Sequence, residues 1–128
     1  MTDRRAGNLA LVILAQVLAM GLWFSGTAAG PSMARDAGVD ATFLAWLTGA
    51  VQLGFVAGTL VSAAFALADR MDPRQLLAAS AWVGAAANGA ITLLPPGDPV
   101  VLVLRFVTGV TMAGIYPTGM KIAAGWAR

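Results

Sequence analysis

One guanidinium stands inside a long run that carries no other charge before Lys121: Arg105, in the stretch 99–122. Counting 1.5 Å per residue from Pro99 places it about 9 Å inside a helix. In hydrocarbon that charge costs at least ~2.5 kcal/mol on insertion scales. It is expected to face a cavity, a partner or water, as the electrostatic element of a solute or coupling path; the competing arrangement is snorkelling to the outer interface. Amides come next. Asn88 lies at a similar depth in its own run, and Gln52 and Gln16 lie nearer the middle of theirs. At 100° per residue, Gln16, Met20, Trp23 and Thr27 share one helical face, and Arg105, Gly109, Met112 and Tyr116 share another. These two polar-aromatic stripes are expected to line a water-filled path. The bland use of any one amide is an interhelical hydrogen bond worth about 0.6 kcal/mol.

The absences exclude other chemistry. The chain has no Glu, His or Cys, and its Asp residues all fall outside the apolar runs. There is then no disulfide or thiolate, no zinc site and no intramembrane carboxylate to take up a proton. Neither a phosphate-binding glycine loop nor a paired nucleophile and base is present. No metal, no cofactor and no enzyme activity are expected. A scattered net charge of +2 is too small for nucleic-acid binding.

The elements that must position these groups follow from hydropathy. Hydrophobic residues make up 59% of the 128 residues, charged residues 11%, and the mean hydropathy is +0.78, where soluble domains carry about 25% charged residues. A soluble fold of this size has too little interior for so much apolar surface. Four apolar stretches cover 8–29, 42–67, 75–94 and 99–122. Each is long enough to cross a hydrocarbon core of about 30 Å, and backbone groups in lipid must pair within their own segment, so helices are expected. The first stretch is long enough to span and more follow, so it reads as a retained helix rather than a cleaved leader. The breaks are 31–40, 69–74 and 95–99, all rich in Pro or charge. Short links predict antiparallel consecutive neighbours. Pro117, after Tyr116, is expected to break the fourth helix near its inner end and to free the Ala113 carbonyl.

Charge sets the orientation. Arg4, Arg5, Arg70, Arg74, Lys121 and Arg128 fall on one side, while Arg35 falls on the other beside Asp36 and Asp40. The first side is expected to be cytoplasmic, with both termini inside. Helix packing faces are expected at Gly54 and Gly58 (extended by Ser62), at Ala81, Ala85 and Gly89, and at Gly109 and Ala113, since small residues let backbones approach.

Two of these segments carry a family resemblance. Leu67-Ala68-Asp69-Arg70-Met71-Asp72-Pro73-Arg74 resembles the signature loop of the major facilitator superfamily, G-x-x-x-D-R-x-G-R-R. Asp69, Arg70 and Arg74 match its core; Phe65 and Asp72 stand where the family has glycine, and Pro73 where it has a basic residue. Arg105-Phe106-Val107-Thr108-Gly109 is similar to the family's R-x-x-x-G element in helix four. The resemblance covers all four stretches. It implies an all-α membrane protein whose four antiparallel transmembrane helices form part of a twelve-helix fold of two six-helix halves. Residues 1–128 would be an incomplete N-terminal half. It implies secondary active transport of a small solute by alternating access, with helices one and four on the central cavity and helix three peripheral. Asp69, Arg70 and Arg74 would form a cytoplasmic gating loop, with Asp69 meeting a helix N-terminus of the other half. The helix-four arginine is linked in the family's antiporters with coupling, and Arg105 would inherit that role.

The expected partners are the lipid bilayer, the remaining helices of a parent permease and a small-molecule or ion substrate. A cavity arginine without a cavity carboxylate tilts that substrate towards an anion or zwitterion. The expected location is multi-pass, in a bacterial plasma (inner) membrane, and the fragment alone is expected to be inactive. Two alternatives stay open. One is a non-transporting scaffold or subunit that binds other helices through its small-residue faces. The other is a small four-helix dimeric exporter resembling the small multidrug resistance family, which relies on a first-helix Glu that this chain lacks.

Overall fold

The computed structural model describes residues 2–127. They form five helices: α1 (Thr2–Ala37), α2 (Ala41–Ala64), the single turn α3 (Leu67–Arg70), α4 (Pro73–Ile91) and α5 (Pro99–Ala127). By length and hydropathy α1 from Arg4, α2 and α5 to Trp126 can each cross a membrane. Hydropathy predicts that α4 matches them over 75–94, but it is a 19-residue helix ending at Ile91 and is not among the three. Its sequence gives the reason: Arg74, Gln75, Ser80 and Asn88, with Ala and Gly in place of Leu and Val, lower its hydropathy.

Three boundaries differ from expectation, each for a local reason. α1 does not stop at Ala29 but continues through Pro31 to Ala37. A membrane helix tolerates proline within its path: Pro31 leaves the Thr27 carbonyl without its usual donor, while the helix continues and the Ser32 hydroxyl donates to the Ala29 carbonyl at 2.8 Å. The helix ends at Gly38, whose φ of +64° suits glycine. α5 likewise runs unbroken through Pro117 to Ala127, so the expected interruption at Tyr116-Pro117 does not occur. Here α5 is clasped on both sides: a Cβ at Gly114 would land on Ser80 Oγ of α4, and one at Gly119 on the Gln16 amide of α1.

The apolar run predicts that α2 reaches Leu67, yet it ends at Ala64 with Phe65 as its cap. Ala66 then takes the left-handed conformation at φ +50°. That conformation costs an L-residue roughly 1–2 kcal/mol. Ala66→Gly is therefore expected to stabilise the protein by about 1 kcal/mol, read as a raised thermal midpoint in detergent; an unchanged or lowered midpoint would mean the turn is not under strain.

Other starts follow the sequence closely. Asp40 caps α2 by accepting from Phe43 N at 2.9 Å. Asp72 accepts from Arg74 N at 2.8 Å, with Pro73 at the first helical position of α4. Asp98 accepts from Val100 N at 2.8 Å at the head of α5.

α5 is the centre of the bundle. Half of the buried residues among those described are its own, among them Val101, Thr108, Met112 and Ile115, whereas α1 adds Ala19 alone to the apolar core. Short links predict that consecutive α2 and α4 are neighbours, but α5 packs against both, and it also meets α1. The α2–α5 crossing is backbone on backbone. A Cβ on Gly54 would fall on the Phe106 carbonyl, one on Gly109 on the Val51 carbonyl, and one on Gly58 would come within 2.7 Å of Val110 O. Gly54–Phe106, Gly58–Val110 and, beyond them, Asp69–Lys121 rise together in number, so α2 and α5 point the same way. Ser80–Gly114 and Asn88–Arg105 run in opposite order, so α4 points against α5.

On α4 the packing face is not the expected Ala81, Ala85 and Gly89. Ala81 and Ala85 are exposed, and a Cβ added at Gly89 would meet nothing within 4 Å. Leu76, Gly84 and Ala87 are buried instead. Much of the remaining surface is apolar, including Leu18, Leu60 and Trp82, the last 78% exposed. Such patches are avoided in water and suit lipid or further helices.

Candidate functional site

Arg105 is 1% exposed. It does not snorkel: its side chain reaches across the helix crossing, where Nη1 donates to Leu22 O at 2.8 Å and Nη2 to Trp23 O at 2.6 Å. Longer bonds run from Nη1 to Ser25 Oγ (3.2 Å) and Asn88 Oδ1 (3.4 Å), and from Nε to Leu47 O (3.4 Å). One residue of α5 thereby ties α1, α2 and α4 together. A guanidinium suits this because it offers five N–H donors in a rigid fork. Every acceptor here is neutral, so the charge is answered by carbonyl, amide and hydroxyl dipoles rather than by a carboxylate.

Space for the fork comes from Gly26, where a Cβ would sit 3.0 Å from both Arg105 Cζ and Nε. Ser25 Oγ also bonds Asn88 Oδ1 at 3.2 Å. Asn88 is therefore an α4 partner of the arginine. The cleft that Arg105 shares with Ser25, Asn88 and Thr92 measures about 170 Å³, room for a few waters at ~30 Å³ each. Ser25 and Gly26 do not stand out in the sequence; their one signal is small size beside Trp23.

The two expected stripes have different fates. On α5, Arg105, Gly109 and Met112 are buried, and only Tyr116, 40% exposed, stays open. On α1, the C-terminal part of the stripe faces α2. Thr27 and Thr48 share a hydrogen bond at 3.0 Å, and the Trp23 and Phe55 rings meet edge-to-face with centroids 5.5 Å apart at 79°. Gln52, exposed, lies between Thr48 and Phe55 along α2. Thr48, Gln52 and Phe55 recur at helical spacing, a signal present in the sequence that points to the same face. Lower down, Gln16 Nε2 donates to the Tyr116 carbonyl at 3.1 Å. Its Oε1 is buried and, among the described residues, has no hydrogen-bond partner.

The three loop residues do not converge. Asp69 accepts from Lys121 Nζ at 3.0 Å, and the same ammonium donates to Ala68 O at 2.8 Å. This joins the turn after α2 to the C-terminal part of α5. The pair is largely solvent-exposed, so it is worth about 0–1 kcal/mol. Arg70 is exposed, and Arg74 sits at the rim of a groove of about 740 Å³ between α1, α4 and α5, with Asn8 and Trp126. Among the described residues no group of acidic side chains could hold a metal ion.

Residues 11–128 match the family model described as the Major Facilitator Superfamily. Comparison with curated proteins and with solved structures gives no match.

Proposed function

The chain belongs to the major facilitator superfamily, and on that premise we propose that it is the N-terminal four-helix portion of a longer permease that moves a small solute by alternating access. The family supplies the coarse statement, a transporter-type membrane protein rather than an enzyme. The finer reading rests on one observation: helices otherwise apolar carry an open polar and aromatic face where α1 meets α2, with the Trp23–Phe55 pair and Gln52 on it. A face of that composition is costly against lipid and suits a water-filled path.

In this reading α4 is also a span, the third in chain order. Its 19 residues reach about 28 Å at 1.5 Å per residue, close to the hydrocarbon thickness, and α5 covers its less apolar side. The helices then alternate in direction, with both termini and the turn around Asp69 in the cytoplasm. The remaining helices of the parent would complete the path, and the chain alone would not transport. Gly54 and Gly58 are occupied by α5, so that pair is not free to bind another helix.

Reporter fusions test the topology: activity of a cytoplasm-only reporter is expected after Arg74, and of an exported one after Gly97. A strain deleted for the full-length gene, grown over an array of nutrients and toxins, is expected to show a phenotype that wild type restores and Trp23→Ala does not. An exported signal after Arg74 would overturn the arrangement, and full rescue by Trp23→Ala would remove this face from transport.

A further inference from the structure

We infer that the solute met by the α1–α2 face is uncharged, ring-bearing and hydrogen-bonding, and that Arg105 does not select it; this rests on the transport reading above. The charge that would favour an anion is out of reach. Arg105 is 1% exposed, and its Nη atoms point at the Leu22 and Trp23 carbonyls, on the backbone of α1. A solute would have to unseat the fork to touch it. No other charged residue lies on this face between Gln16 and Thr27 or between Thr48 and Phe55.

What the face does present is ordered along the helices. The Trp23–Phe55 pair gives half-buried ring surface. It is bracketed by the Thr27 and Thr48 hydroxyls on one side; on the other, Gln16 lies about two turns earlier along α1, with its amide nitrogen on the Tyr116 carbonyl of α5. Rings stack on other rings with offset or edge geometry, and an apolar wall with a few placed polar groups is the usual build of a small-molecule site. Gln16 Oε1, buried and unpartnered among the described residues, is an acceptor whose bond is still to be made. As an acceptor it is satisfied by a hydroxyl or N–H donor, whether of the solute or of a water that accompanies it. A carboxylate has no donor and would meet this oxygen with repulsion.

The chain contains no cysteine, so Gln52→Cys creates one thiol on the face. In the full-length parent, freed of any other cysteines and held in membrane vesicles, that thiol is treated with ethylsulfonate and ethylammonium methanethiosulfonates, each rate being divided by the rate with free thiol. Corrected rates within about threefold of each other are expected. Benzyl alcohol is expected to slow labelling, while benzoate and benzylammonium at equal concentration are not. Thr48→Cys, on the same face, repeats the measurement independently of folding at position 52.

A tenfold preference for either charged reagent, or stronger protection by benzoate than by the alcohol, overturns the uncharged solute and leaves the transport reading intact. No protection by any of the three overturns ring recognition. Failure of both charged reagents to react puts the face in lipid, and then the transport path falls with it.

Discussion

Gly109→Leu is expected to force α5 away from α2 and to cost about 3 kcal/mol, the upper end for overpacking a tight contact. A single added carbon already has no room. It would fall on the Val51 carbonyl, with Phe55 N at 2.8 Å and Val51 C at 2.9 Å. All three are backbone, so no side chain can turn aside, and the crossing itself must widen. Gly54 and Gly58 make the reciprocal approach to Phe106 and Val110, so relief at one point opens the others. Lipid offers helices no hydrophobic drive to stay together, and close packing is most of what holds them. Widening also draws Arg105 from the Leu47 carbonyl, already at 3.4 Å.

Gly89→Leu is the control, because nothing lies within 4 Å of its side-chain position and it should change stability by no more than ~0.5 kcal/mol. Loss of helical signal on titrating SDS into mixed micelles reads both. Equal midpoints for the two variants would show that this crossing does not hold the bundle.

Arg105→Lys is expected to destabilise by about 2–3 kcal/mol, and Arg105→Met by less than about 1. The order looks inverted until the terms are separated. The charge in the membrane costs about 2.5–3.5 kcal/mol, and Lys keeps that cost. Its single ammonium cannot fork across the Leu22 and Trp23 carbonyls, and its stem is shorter. Met abolishes the charge and loses hydrogen bonds worth about 0.6 kcal/mol each, so loss and relief nearly cancel. Nothing charged is orphaned by the change. Ser25 and Asn88 remain bonded to each other at 3.2 Å, and the carbonyls belong to helices.

The same SDS titration measures the stabilities, and the growth phenotype of the full-length parent measures transport. Wild-type transport by the Met variant fits an arginine that only positions helices. Loss of transport at unchanged stability would instead place its charge in the mechanism. The mildness of Met against the severity of Lys is the signature of a fork used for geometry.

Sequence expectations fail where a residue type is read without its neighbours. Pro31 and Pro117 read as helix breaks, and both lie inside helices. Proline removes one donor, but the rest of each helix continues through it, and around the second the contacts of Gly114 and Gly119 pack α5 on α4 and α1. Spacing also points the α5 stripe of Arg105, Gly109 and Met112 towards a cavity. It establishes that residues share a face, not what that face meets; here it meets α1, α2 and α4.

Sequence by itself determined that this chain is built of long apolar helices and that Arg105 needs special company. Those properties are local: hydropathy over about 20 residues and a charge deep in an apolar run. Tertiary structure alone decided that α5 stands between α2 and α4, that Gly26 opens the space for the Arg105 fork, and that α2 supplies the face opposite Trp23. Each of these depends on how near two distant backbones can come, and that distance is set by side-chain atoms absent from one helix and present on another.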